Sequence, residues 1–376
     1  MKVLYINNYY DGSGWAQQGI DSILALDSAG VDVVPRAIKL NDIMTKVPDR
    51  IKELESKSDK NPDIVIQNVL PVFAKYFGRV KNIIYYQTET GNYKDIGWSN
   101  EINLMDEAWV SCRYAANAAK TSGVKVPIKI VPMPIDISKF DAIYNNNPLG
   151  IRNEIGNDAF VFYTISEFTT RKNIETLLRA YYSEFTAEEE VYMLIKTTNT
   201  GHGNNIQNYI TSVLDKIKKD LRIYKDVSRY KKELVICGHL NNEDLYGIHT
   251  TCNAFVTATR GEGWCLPCFD AMGFGKTIVA PGHTAFTDYL NSKNAYLVDC
   301  YLENCYGAHD TVPGLYSAND TWFETSVIEL RRKMRQAYEQ RNGEAKRKAD
   351  QAKVDIQNYS YKKVGGIMKN LLEKSI

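Results

Sequence analysis

The densest chemistry in the sequence lies in Arg260-Gly261-Glu262-Gly263-Trp264-Cys265-Leu266-Pro267-Cys268-Phe269-Asp270-Ala271-Met272-Gly273-Phe274-Gly275-Lys276. Pro267 suits the first position of a helix, where the missing N–H would be unpaired in any case. Gly261 and Gly263 ahead of it let the backbone approach a ligand closely. The free amides of the helix start, with the helix dipole, then favour an anion such as a diphosphate. Glu262 and Asp270, eight positions apart, are two carboxylates able to accept hydrogen bonds from ligand hydroxyls. A carboxylate beside a polyol takes charge-assisted bonds that a mismatched ligand leaves unmade. Cys265 and Cys268 form a C-x-x-C, but Leu266-Pro267 between them belongs to the turn. No second Cys pair or His stands at metal spacing, so neither zinc nor a redox role is expected.

A second basic point stands upstream. In Ile165-Ser166-Glu167-Phe168-Thr169-Thr170-Arg171-Lys172-Asn173-Ile174 a strand end leads into an amphipathic helix. Basic residues at a helix start oppose its dipole, so Arg171 and Lys172 call for a ligand reason. An anion there would be met by an arginine fork or a lysine point charge. Lys196 ends another strand; it either faces the same place or buries its stem beside the sheet. His239, after the run Leu234–Gly238, is read equally as a ligand contact or as a plain loop histidine. Pro281-Gly282-His283-Thr284-Ala285-Phe286 follows a further strand.

These residues need strand ends to hold them, and the chain provides two series. Lys2–Asn7, Val31–Ile38, Asp63–Asn68, Lys81–Gln87, Glu107–Ser111 and Lys129–Met133 read as strands separated by helix-like segments. From Gln17 to Ala29, Ile20, Ile23, Leu24 and Leu26 follow helical spacing and Gly30 suits a left-handed cap. After the turn-rich Asn-Asn-Asn-Pro-Leu-Gly near Pro148 and Gly150 the pattern restarts, with Phe160–Ile165, Val191–Lys196, Leu234–Gly238, Ala254–Thr259, Thr277–Ala280 and Ala295–Val298. Helices are predicted to begin near Lys172, Asn242, Pro267 and Trp322, and Tyr361 to Leu372 reads as a helical end. Strand–helix–strand repeats imply parallel sheets with crossover helices. Such sheets bind ligands outside the carboxyl ends of their strands, so a cleft between the two domains is the expected site.

Length and composition agree. The 376 residues exceed the roughly 250 at which single cores stop growing. With 44% hydrophobic and 24% charged residues the chain reads as packed and globular. A net charge of +1 gives no global attraction for nucleic acid or an anionic membrane. No segment approaches 18 consecutive apolar residues and the first ten are too polar for a signal-peptide core, which leaves only peripheral membrane contact open. Seven cysteines spread through strand-like segments fit buried thiols, and a cytoplasmic location is expected.

In the first half, Asp11-Gly12-Ser13-Gly14-Trp15 through Gly19 opens the first helix, with glycines that permit close approach to a phosphate or sugar. Asp32 lies near where a dinucleotide fingerprint wants its acidic residue, but a dehydrogenase has no use for Glu262 and Asp270. Tyr85-Tyr86-Gln87-Thr88-Glu89-Thr90-Gly91 ends the fourth strand. Trp15 and Trp98 either stack on a sugar ring or pack in the core.

The stretch from Glu262 to Asp270 resembles the Glu-x7-Glu signature of the family-four retaining glycosyltransferases (glycosyl transferases group 1), with Asp270 for the second Glu and Cys265 for a frequent Gly. The resemblance runs from Met1 to about Leu372 and implies an α/β GT-B fold: two Rossmann-like, doubly wound parallel-sheet domains facing across a cleft. The acceptor-side domain would span 1–150, with a C-terminal helix at about 358–376 crossing back, and the donor domain 151–357.

Carried over residue by residue, the resemblance puts Glu262 on the donor sugar and Asp270 on the ribose, with Gly263, Trp264, Cys265 and Leu266 in the same turn. Lys172 matches the diphosphate lysine; Glu167 stands where the family has an arginine, so Arg171 becomes the candidate for the second charge. Gly238, His239 and Leu240 fall at the nucleobase, and His283 and Thr284 at the sugar and phosphate; Lys196 joins the donor-binding residues if it faces the same cleft. Gly12 and Gly14 fall across from the diphosphate, and Glu89, Thr90 and Trp15 on the acceptor side, where the usual His is missing. The implied reaction moves a hexose from a GDP- or UDP-sugar to a glycan or other hydroxyl acceptor with retention, no enzyme nucleophile, no cofactor and no metal. A nucleotide-sugar epimerase or a silent nucleotide-binding protein of the same fold is the alternative.

Overall fold

Short Val-, Ile- and Tyr-rich runs pair in parallel as the first sheet: β1 (Lys2–Asn7), β2 (Asp32–Ala37), β3 (Ile64–Gln67), β4 (Lys81–Tyr86), β5 (Glu107–Val110) and β6 (Ile128–Ile130). Their order is β2-β1-β3-β4-β5-β6. β3, β4 and β5 are buried almost throughout, as expected of parallel strands covered on both faces. The computed structural model describes residues 1–40, 42–198, 205–308 and 314–375.

The second sheet contains β7 (Phe160–Glu167), β8 (Val191–Thr198), β9 (Glu233–Cys237), β10 (Ala254–Val256), β11 (Thr277–Pro281) and β12 (Tyr296–Val298), in the order β12-β11-β10-β7-β8-β9. The strand order reverses between β7 and β10, which makes the ends of those two strands the switch point where open α/β sheets bind ligands. In the first sheet the corresponding point lies between β1 and β3.

The chain divides into one unit of Met1–Lys139 with Ile356–Ile376 and another of Phe140–Asp355. The division therefore falls ahead of the turn-rich stretch at Pro148, not after it. Phe140 and Tyr144 pack edge-on against Phe274, which ties the stretch between them to the second unit. In the first unit, helix Gly14–Ser28 starts where the Ser13 side chain accepts from the Ala16 amide at 3.1 Å. The terminal helix Tyr361–Glu373 adds Val364, Met368 and Leu372 to the core that holds Ile23 and Leu26.

One expected element is of another kind. Trp322 does not begin a helix: β14 (Thr321–Thr325) pairs antiparallel with β13 (Cys300–Asn304), outside either parallel sheet. The helix follows at Val327–Glu339, capped by Ser326. Trp322 and Glu324 point inward on alternate positions of β14, a period of two that a helix reading misses.

Candidate active site

β7 and β10 end on either side of the second switch point, and the loops after them carry the two basic residues and the carboxylate. Lys172 Nζ lies 2.6 Å from Glu262 Oε1, and an Arg171 guanidinium nitrogen lies 3.4 Å from Glu262 Oε2 and donates to the Gly261 carbonyl at 2.7 Å. Glu262 is only 5% exposed. Burial alone would push its carboxyl up, but the charges of Lys172 and Arg171 reverse that and hold it below the ordinary 4.5. Arg171 is thus a second positive charge beside Glu262, while Glu167 is exposed at the end of β7.

The Glu262 backbone is fixed by a directed chain. Its amide donates to Thr284 Oγ1 at 3.2 Å, and that hydroxyl lies 3.1 Å from His283 Nδ1. His283 Nε2 lies 3.1 Å from the Thr259 carbonyl, which can only accept, so the proton sits on Nε2 and Nδ1 accepts from Thr284. Burial lowers the His283 pKa to about 4, so the ring is neutral at physiological pH. It stacks on Phe323 at 4.6 Å.

Three residues around this point hold left-handed backbone without being glycine: Asn173 (φ 54°), Cys265 (φ 70°) and the β-branched Thr284 (φ 48°). Each is disfavoured by roughly 1–3 kcal/mol, and such strain persists where the surroundings over-determine it, as at ligand sites. Cys265 is the cap of the helix Leu266–Gly273, so that helix starts one residue before Pro267. Burial raises the Cys265 thiol to about 12 and also raises Cys268 well above the ordinary thiol value, which makes both inert.

Of the remaining expected residues, Asp270 is half-buried on the same helix, and its charge is felt by Tyr163 and Cys268. Trp264 packs its ring against Phe269 and Tyr289, so what it and Gly263 offer a ligand is backbone. Leu266 opens the helix and is half-buried. Lys196 on β8 is half-buried, with burial lowering its pKa. Gly238 (φ 105°) donates its amide to the Thr197 carbonyl at the end of β9, followed by exposed His239 and half-buried Leu240. All of these stand near or after the carboxyl ends of β8, β9 and β10 of the second sheet.

In the first unit, Asn7 at the end of β1 donates to the Asn68 carbonyl at the end of β3 (2.8 Å) and to the Trp15 carbonyl (3.4 Å). Gly12 and Gly14 are exposed and Trp15 is half-buried. Trp98 belongs to the core, against Tyr86 and Tyr93. Glu89 is half-buried, whereas the Thr90 hydroxyl is spent on the Asn92 carbonyl at 2.9 Å. Gln87, quoted above only as part of a strand end, is buried with neither amide atom paired among the described residues. Sequence reasoning also missed Asn173, Arg260 and Glu324, whose side chains meet behind the Lys172 and Glu262 loops.

No family model and no curated protein matches the sequence. Solved structures do match. HepE from Anabaena, solved with UDP-glucose, is 13% identical over all of both chains with a TM-score of 0.68. Sucrose-phosphate synthase from Thermosynechococcus elongatus is 12% identical over all of this chain and 98% of its own, with a TM-score of 0.69. A glycosyltransferase from Rickettsia africae is 12% identical over the same shares, with a TM-score of 0.66. The chain has the GT-B fold these proteins share.

Proposed function

We propose that the protein is a metal-independent, retaining glycosyltransferase that moves a hexose from a nucleotide diphosphate sugar to a hydroxyl acceptor. One observation carries the reading: Lys172 and Arg171 converge on buried Glu262 at the switch point of the second sheet. The structural neighbour HepE, solved with UDP-glucose and with UDP and glucose, supports a UDP-sugar over a GDP-sugar.

In this reading Lys172 and Arg171 bind the diphosphate and stabilise the charge that grows on it as the sugar C1–O bond breaks. Glu262 accepts from sugar hydroxyls, and Asp270 accepts from the ribose. The acceptor oxygen forms the new bond to C1 on the face the diphosphate leaves, and its proton passes to the departing phosphate oxygen. No side chain acts as nucleophile, so the chain's contribution is positioning and charge. Gly238, His239 and Leu240 take the base, and Gln87 and Glu89 take acceptor hydroxyls. Arg171 and Lys172 do for the diphosphate what a metal would do elsewhere. Activity lost to a chelator and restored by manganese would overturn that part.

The test is thermal stability with UDP or GDP, for the wild type and Lys172→Ala. A nucleotide at about 100 times its dissociation constant adds roughly 2.7 kcal/mol, a shift of several degrees. Stabilisation of the wild type by one of the two, and much less of the variant, is the expected result. No shift of the wild type by either would end the donor reading.

A further inference from the structure

The diphosphate cradle consists of two loops, 170–173 after β7 and 257–265 after β10, and neither is regular structure. Something must hold them in register, because the reach of Lys172 and Arg171 relative to Glu262 is set by backbone positions within them. The loops bond each other directly, the Arg260 amide to the Arg171 carbonyl at 2.8 Å and Arg171 to the Gly261 carbonyl at 2.7 Å, and one further side chain, from neither parallel sheet, braces both. Glu324, on β14, is 9% exposed and accepts from three side chains.

Its Oε1 accepts from Asn173 Nδ2 at 2.8 Å and from Thr176 Oγ1 at 3.1 Å. Its Oε2 takes Arg260 Nε at 2.7 Å and a second guanidinium nitrogen at 2.6 Å. Arg260 in turn donates to the Thr170 carbonyl, and its backbone carbonyl accepts from the Phe323 amide at 2.9 Å. Asn173 is the strained residue next to Lys172, and its amide also donates to the Ala258 carbonyl at 3.1 Å. Glu324 therefore ties the residue after Lys172 to the residue two before Glu262. Only an ionised carboxylate accepts on all sides at once; a side-chain amide would turn a donor toward Asn173 or Arg260.

We propose that Glu324 is a positioning residue for the diphosphate. Resting on the function proposed above, the inference makes the β13–β14 hairpin a clamp on the back of the cradle: the Glu324 carboxylate holds Asn173 and Arg260, and through them the spacing of Lys172 and Arg171 from Glu262. Glu324 touches no substrate, so its removal acts on the diphosphate and spares the base, whose loop after β9 it does not contact.

The experiment measures affinity for UDP (or GDP, if that is what the wild type binds) and for the matching nucleoside, in the wild type and in Glu324→Gln, with exposed Glu303→Gln on β13 as the control. UDP binding about tenfold weaker in Glu324→Gln, with uridine binding and the control unchanged, is the expected result. In a Lys172→Ala background the Glu324→Gln effect should vanish, because the two act through one element. Should Glu324→Gln not fold, Asn173→Gly carries the test: glycine accepts the left-handed backbone, while the bonds to Glu324 and to the Ala258 carbonyl go, and UDP again weakens alone. Wild-type-like UDP binding in either folded variant, or equal loss of UDP and uridine, overturns the clamp while leaving the donor site standing. A wild type that binds neither nucleotide overturns the functional reading itself and the clamp with it.

Discussion

Lys172 and Glu262 form a close ion pair: the ammonium lies 2.6 Å from Glu262 Oε1, against a carboxylate that is buried. In the proposed function a diphosphate bound by Lys172 shares or displaces that partner. Neutralising the carboxylate frees the lysine, while it removes an acceptor for the sugar hydroxyls.

Glu262→Gln should therefore separate binding from transfer. UDP affinity is expected to hold or rise several-fold, whereas sugar transfer falls by at least about a hundredfold, the scale of losing one preorganised polar contact at a reacting centre. Lys172→Ala should do the reverse to binding, and it leaves Glu262 buried with Arg171 as its remaining cation, a stability loss of up to about 3 kcal/mol. Calorimetric titration with UDP and a transfer assay on both variants would check this. Parallel loss of UDP binding in the two variants would contradict the competition.

The acid side of the stability profile should carry the His283 signature. Its pKa is lowered from 6.5 to about 4 by burial, so the folded state resists a proton that the unfolded chain accepts. The stability tied to the neutral ring is complete above pH 6.5 and is lost as pH falls toward 4, at most roughly 3 kcal/mol for a shift of that size. Glu262, whose pKa is also lowered, adds its own loss below 4.5. His283→Gln keeps a donor for the Thr259 carbonyl but does not titrate. Its denaturation midpoint should fall less than that of the wild type between pH 7 and pH 4.5, and equal slopes would refute the buried neutral ring.

How much of this was legible in the chain depends on the distance over which each signal acts. β1 and β7 announce themselves by local apolar runs, and Glu262 with Lys172 by residue type at strand ends. Glu324 was hidden because its partners Asn173 and Thr176 lie about 150 positions away and because Trp322 suggested a helix. Its strand partner, Cys300–Asn304, is largely exposed and offers no apolar pattern to reveal the hairpin. Cys265 and Thr284 have left-handed backbone that no residue preference foretells, since neither is Gly or Asn.

Gln87 presents a different balance, stability against use. Both its amide atoms are buried without a partner among the described residues, and each such atom costs about 1–3 kcal/mol. Gln87→Met keeps the volume and removes the unpaired polar atoms, so the thermal midpoint should rise. If the amide serves the acceptor, transfer should drop while donor hydrolysis and UDP binding stay. A stabilised variant with full transfer would reduce Gln87 to a packing defect.

The terminal helix offers a test in two neighbouring glycines. A Cβ at Gly365 would lie 2.1 Å from the Ala25 carbonyl oxygen, and that atom is backbone of the helix Gly14–Ser28 and cannot swing aside. At Gly366 nothing lies within 4 Å. The close approach is fastened on one side by Tyr361, whose hydroxyl donates to Asp21 at 2.5 Å, and on the other by Lys369, whose ammonium donates to the Ala29 carbonyl at 3.1 Å. Alanine improves helix propensity by about 1 kcal/mol at either position, but at Gly365 the overpacking, about 1–3 kcal/mol, outweighs it. Gly366→Ala should raise the midpoint and slow tryptic cleavage at Lys362 and Lys363; Gly365→Ala should lower it and speed that cleavage. If the two variants behave alike, the helix does not depend on backbone contact at Gly365.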